Sequence, residues 1–282
     1  FPIFTIQGQV NAILPSNTPV GNATLVVTFN GASSVARSFR VVASSFGTFS
    51  ANGQGFGPGS ITNFESATAV PLSNSVLRSA RPGQTLTLFG TGLGPLPAGT
   101  PDNAAAPAVQ IGAANIELYV GNIRANVAYA GRAPGFVGLD QINFVVPTGL
   151  LGCSIPVYVR IGQIISNFTT IAISAAGGAC SDPLGLSSSQ LDRLVQTGSL
   201  KVGSIVLARL DFETSVPGFG NFNLKSDSGL ADFVEYTPQT IEFNTGTNVG
   251  GVTSFGTCYV FSGTATDSEV IDPIALKQLD AG

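Results

Sequence analysis

An all-β chain of tandem β-sandwich modules, followed by a third β-rich domain, is what the residues predict, on three grounds. The first is a register repeat: Pro2, Phe4, Gln9, Asn11 and Pro15 return as Pro134, Phe136, Gln141, Asn143 and Pro147, all at an offset of 132 (134 − 2, 141 − 9, 147 − 15). Continued without a gap, the offset lays Ala23, Leu25, Val27 and Phe29 over Ile155, Val157, Val159 and Ile161, and Phe39 and Val41 over Ile171 and Ile173. Inward-facing positions stay inward-facing, which chance similarity would not preserve. The second is composition: 35 glycines and 17 prolines in 282 residues, with Val, Ile, Phe and Thr frequent and helix-period runs scarce. The third is alternation, clearest where Ile155, Val157, Val159 and Ile161 point to the core and Pro156, Tyr158 and Arg160 point away.

Taken in order, residues 1–43 read as three strands, Pro2 to Leu14, Ala23 to Phe29 and Ser34 to Val42, the last two joined by the tight-turn pair Asn30-Gly31. Residues 44–77 carry a second Asn-Gly at Asn52-Gly53 and a glycine run, and read as an irregular hairpin and connector. Residues 78–180 hold Gln84 to Phe89, Ala108 to Ile111, Ile116 to Val120, Ile123 to Tyr129, the shared segment to Pro147, Ile155 to Ile161 and Ile164 to Ser174. About seven strands in about a hundred residues fit an Ig-like sandwich. In residues 181–282, Ser187-Ser188-Ser189 offers a helix cap, with Leu191, Leu194 and Val195 on one face and Gly198 as the stop. Strand-like runs follow at Val202 to Phe212, Leu230 to Tyr236, Thr240 to Phe243 and Thr257 to Phe261, then one helical turn at Pro273 to Leu279. The expected division is 1–77 (an incomplete module plus connector), 78–180 (a complete module) and 181–282.

The run Gly90-Thr91-Gly92-Leu93-Gly94-Pro95, the segment Tyr129 to Val146 and Ile165-Ser166-Asn167 resemble the repeat known as the Solibacter uncharacterised C-terminal domain. That family consists of secreted Ig-like or TIG-like β-modules in acidobacterial surface proteins. The resemblance covers roughly residues 1–180 and implies a fold and an extracellular compartment; it carries no catalytic residues.

Charge excludes some functions. Charged residues are 10% of the chain and the net charge is −4, without a basic cluster, so no nucleic acid partner is expected. No apolar run reaches the roughly 18 residues of a membrane span. The chain starts at Phe1, which reads as the product of a cleaved export signal. So little surface charge leaves little repulsion against self-association.

No catalytic machinery is visible. With no histidine in the chain, Ser-His-Asp and Cys-His arrangements and nearly all catalytic zinc sites are absent. Neither an enzyme nor a cofactor is therefore expected. The acids Glu65, Glu117, Asp140, Asp211, Glu213, Asp227 and Asp232 read as solvated loop positions. Gly53 to Gly59 and Gly90 to Gly94 read as turns, since neither leads into the helix a phosphate loop needs. Asp227, Asp232 and Glu235 are weak calcium candidates without EF-hand spacing. Asn22-Ala23-Thr24 and Asn167-Phe168-Thr169 fit a glycosylation acceptor, and Tyr119, Tyr129 and Phe136 could stack on sugars or lie in a core. Cys153 and Cys180 flank a hairpin and are expected to form a disulfide; Cys258 is then a buried thiol or an intermolecular partner.

The incomplete first module points to function. If the repeats are homologous, the counterparts of Gln84 through Tyr129 are missing from residues 1–43, so Phe4, Leu25, Val27 and Phe29 would lie on an uncovered face beside an open strand edge. The connector, a preceding segment, the C-terminal region or a neighbouring chain could supply cover. The expected protein is an extracellular structural subunit that polymerises with copies of itself by β-strand complementation. The alternative is a monomeric adhesion or glycan-binding module on the cell surface, its polysaccharide ligand held by loops such as Pro95 to Pro107 and Gly131 to Asp140.

Overall fold

The computed structural model describes residues 1–105, 107–111, 115–180, 186–216, 220–244 and 277–278. Among them the chain is mostly strand in antiparallel sheets, with two short helices.

Residues 1–43 form three small two-stranded sheets. β1 (Pro2–Ile6) pairs with β2 (Gln9–Ala12), β3 (Gly21–Leu25) with β6 (Arg37–Val41), and β4 (Thr28–Phe29) with β5 (Ala32–Ser33), a hairpin nested between the strands of the β3–β6 pair. The single strand expected over Pro2 to Leu14 is instead folded at Gly8, whose φ of 86 suits a residue without Cβ. Asn30 and Gly31, both at positive φ, make the tight turn expected of them.

Residues 44–180 form a β-sandwich. One sheet runs β11 (Val109–Gln110), β14 (Asn126–Arg132), β15 (Asp140–Val145), β10 (Thr85–Thr91), β8 (Ile61–Asn63), β9 (Leu72–Ser73), with β7 (Gly47–Thr48) also on β10. The facing sheet runs β13 (Ile123–Arg124), β12 (Ile116–Val120), β16 (Gly152–Ile161), β17 (Ile164–Ile165), with β18 (Thr169–Ile173) also on β16. Alternate residues of both sheets fill the space between them. Leu86, Leu88, Ile142 and Phe144 from one side meet Leu118, Val120, Val157, Val159, Ile171 and Ile173 from the other, all at most 1% exposed.

The segment 44–77 belongs to this sandwich by its hydrogen bonds, not to the first module to which the sequence reading attached it. Ile61 pairs with Leu88, Thr48 with Gly90, and Phe46 and Ile61 are in the core. Glycine makes this approach possible: a Cβ on Gly90 or Gly92 would lie 2.3 Å from the carbonyl oxygen of Gly47 or Ser45. The Gly90-Thr91-Gly92 string is thus a site of close backbone packing as well as a turn.

Beyond Cys180, α1 (Ser188–Thr197) is capped as expected. The Ser187 hydroxyl accepts from the Gln190 backbone, the Gln190 side chain returns the bond, and Gly198 ends the helix at φ 75. Leu191 and Leu194 bury against Val76, Leu77, Leu200, Val234, Tyr236 and Ile241, whereas Val195 faces solvent. Two strands outrun their expected lengths: β19 (Leu200–Val216) and β20 (Gly220–Tyr236) pair along all 17 residues of each. The strand expected at Thr240 to Phe243 is a helix, α2 (Pro238–Asn244). Thr237 and Thr240 cap it reciprocally and Pro238 opens it, a combination that favours a helix start over a strand. Lys277 and Gln278 form β21 (Lys277–Gln278) against β20, where a helical turn was expected. The run Thr257 to Phe261, with Cys258, lies outside the described residues.

From β3 to β6 the offset of 132 holds in the hydrogen bonding, whereas the β1–β2 pairing has no counterpart in the sandwich. Ala23, Thr24 and Leu25 face Phe39, Ser38 and Arg37, just as Ile155, Pro156 and Val157 face Ile171, Thr170 and Thr169. Thr28 and Phe29 face Ser33 and Ala32 as Arg160 and Ile161 face Ile165 and Ile164. A side-chain lock recurs too: the Ser34 hydroxyl accepts from the Val27 N–H at 3.0 Å and the Ser166 hydroxyl from the Val159 N–H at 2.9 Å.

Candidate functional site

The shared register shows what residues 1–43 lack. In the sandwich, β12 pairs with the edge of β16, setting Ile116, Leu118 and Val120 opposite Ile161, Val159 and Val157. Subtracting 132 places Phe29, Val27 and Leu25 at the corresponding edge, and among the described residues no strand pairs with them there. The side chains report the same gap. Leu25, Val27 and Phe29 are 57%, 43% and 73% exposed, against 0% for Val157 and 1% for Val159.

Phe4, with Ile3, Ile6 and Val10 of the first hairpin, is also exposed, and Val41 alone of the hydrophobic residues in 1–43 is buried. Beside the open edge, an open groove of about 420 Å³ is lined by Asn22, Ala23, Thr24, Ser38 and Phe39. By pleat parity Arg37 shares the face of Leu25 and Phe39, where the sandwich carries Thr169, so the apolar surface holds one cation. The connection from β2 to β3 rests on the sandwich through Ser16: its N–H donates to Asp102 Oδ2 at 2.9 Å, and its hydroxyl oxygen accepts from the Leu96 N–H at 2.9 Å.

Cys153 and Cys180 form the expected disulfide, with Cα atoms 5.7 Å apart. The aromatic candidates do not converge. Tyr119 stacks on Tyr158, centroids 5.0 Å apart and planes 7° from parallel, with the Arg160 guanidinium 5.5 Å from the Tyr119 ring centre and Phe168 tilted against Tyr158. Their faces are spent on one another. Tyr129 is half-buried and its hydroxyl donates to the Arg132 carbonyl at 2.7 Å, while Phe136 stands exposed in a separate loop.

Of the two glycosylation tripeptides, Asn22 is exposed. Asn167 is engaged: its Oδ1 accepts from the Thr48 N–H at 2.7 Å, and its Nδ2 donates to the carbonyls of Thr48 at 2.9 Å and Gly55 at 2.6 Å. A glycan on that nitrogen would break the bonds pinning the glycine loop. Asp227 accepts from Nε and Nη2 of Arg209, at 2.7 and 2.9 Å, and Glu235 accepts from the Ser199 hydroxyl. Eight residues apart on one strand, these two acids are separated by roughly 26 Å, too far for one calcium ion.

Sequence reading placed Asp140 among solvated acids, but it is 1% exposed. Its Oδ2 accepts from the N–H groups of Gly92 and Leu93 at 2.9 and 3.0 Å. Oδ1 lies 3.3 Å from Arg132 Nη1, an ion pair without hydrogen-bond alignment. Burial pushes the carboxyl above its usual range, against the backbone bonds and Arg132, which pull it down. The group locks the Gly90–Gly94 turn to the sheet. Its signal was parity, since Asp140 shares the row of Ile142 and Phe144.

No helix among the described residues is long and apolar enough to cross a membrane. Comparisons with family models, curated proteins and solved structures find no match to this chain.

Proposed function

We propose that this chain is a structural subunit of an extracellular fibre or surface layer, assembled by β-strand complementation between copies. The observation that carries the reading is the bare face of Leu25, Val27 and Phe29 beside an edge unpaired among the described residues, at positions whose counterparts Val157 and Val159 are sealed in the sandwich and Ile161 is half-buried. Covering those side chains, already covered in part, is worth at most about 1.5–3 kcal/mol each, and pairing the edge satisfies backbone groups that otherwise remain in water. The disulfide suits an oxidising compartment, and the motif resemblance to secreted surface modules points the same way. The reading assigns no catalytic role.

Purified protein should form oligomers or filaments by light scattering and negative-stain imaging. The double variant Val27→Asp, Phe29→Asp should stay monomeric while the sandwich, whose core those residues do not enter, melts unchanged. A monodisperse monomer whose residue 21–41 amides are protected from exchange would sink the proposal.

The alternative, a monomeric adhesion or glycan-binding module, rests on Phe136, which is 58% exposed. Polysaccharide binding lost in Phe136→Ala, by a protein that stays monomeric, would favour it.

A further inference from the structure

Among the described residues, a second open edge lies on β19. β20 pairs with β19 along one side, and β21 pairs with β20 rather than with β19. The outer edge of β19 therefore offers its N–H and C=O groups to whatever approaches. Natural sheets blunt such edges with proline, bulges, charge or brevity. Here the stretch Val202 to Ala208 has no proline, no charge and no break in register, and Ile205 and Leu207 are 69% and 82% exposed.

Resting on the assembly reading above, we propose that β19 of one copy pairs along Leu25 to Phe29 of a second copy, in the position that β12 holds in the sandwich. Chemistry and geometry agree on this occupant. β12 presents Ile116, Leu118 and Val120 at alternate positions to the core side of its partner, and Ile205 and Leu207 repeat the first two at the same spacing, with Arg209 at the third. β13 lies beyond β12 in its sheet, and β20 would lie beyond β19 in the same place. Charge is complementary as well. Residues 1–43 carry Arg37 and Arg40 and no acid, whereas residues 200–236 carry Asp211, Glu213, Asp227, Asp232 and Glu235 against Lys201, Arg209 and Lys225. The contact joins two different surfaces, so it runs head to tail, giving a filament where the rotation between copies does not close and a ring where it does.

The test uses full-length chains carrying Cys258→Ser. One preparation has Val27→Cys, another Leu207→Cys, and a third carries both. Oxidation of a one-to-one mixture of the single variants should give a disulfide-linked pair of chains that neither yields alone. A cross-link confined to one chain of the double variant, or none, would overturn the pairing. A second variant removes dependence on cysteine chemistry: Ile205→Lys, Leu207→Lys, exposed substitutions that leave both hydrophobic clusters intact, should raise the concentration needed for assembly by at least about tenfold. If this variant assembles like wild type while Val27→Asp, Phe29→Asp does not, the donor is another strand and the polymer reading survives. If wild type itself stays monomeric, both fall.

Discussion

Asp140 shows how a single side chain reports on its surroundings. Its folded-state proton affinity is raised because burial outweighs the two backbone N–H groups and Arg132. The linkage sign follows: the group favours the folded state below its ordinary value of 3.8, and that contribution is lost as pH rises through the higher folded value. Asp140→Asn has no such titration. Urea unfolding across that window should therefore show wild type losing stability relative to the variant as pH rises, with a constant difference above it; the opposite slope would contradict the account. Parity made Asp140 legible as a core-row position, though its identity as an acid argued for solvent. Asn167 was not legible at all. Its role depends on a glycine loop over a hundred residues earlier in the chain, and the only local signal, the acceptor tripeptide, pointed elsewhere.

At the level of elements, the parts written in local chemistry could be read and the parts decided by distant partners could not. The helix α1 is local: Ser187, Gln190 and Gly198 supply both ends. Ser187→Ala should cost about 1 kcal/mol, seen as a lower urea midpoint with unchanged slope. The Cys153–Cys180 bridge was legible because the two cysteines flank a hairpin. It closes a loop of 27 residues at the base of β16, so replacing both by serine should cost about 3–4 kcal/mol on chain-entropy grounds. A loss under about 1 kcal/mol would mean that the reduced chain is already held there by the packing of Cys153 against the hydrophobic cluster beneath α1. By contrast, the strands of 44–77 gave short, glycine-broken signals. The bare backbone of Gly90 and Gly92, far along the chain, is what lets Ser45 to Thr48 lie against the sheet. The full length of β19 and β20 was likewise hidden, because Glu213, Asn223, Lys225 and Asp227 lie beyond the apolar runs and find their partners across the ribbon instead.

For the whole molecule, the question is which force would hold copies together. Two surfaces are poor in cover, the Leu25–Phe29 edge and the outer edge of β19, and their charges are opposite in sign but few. If the attraction were mainly between those charges, it would fade as the Debye length shrinks from about 8 Å at physiological salt to about 3 Å at 1 M. If it is mainly apolar burial and backbone pairing, salt should barely weaken it, and an excluded salt such as sulfate should strengthen it. The side chains decide for the second case: Leu25, Val27, Phe29, Ile205 and Leu207 are uncharged, and Arg37 is the one cation by parity among the first three. The assembled fraction, measured by sedimentation at fixed protein concentration, should therefore hold or rise between 0.15 and 1 M salt, while the initial rate of assembly falls modestly as steering between the arginines and the acidic ribbon is screened. Dissociation at high salt would locate the attraction in the charges and remove the exposed apolar edge from its central place.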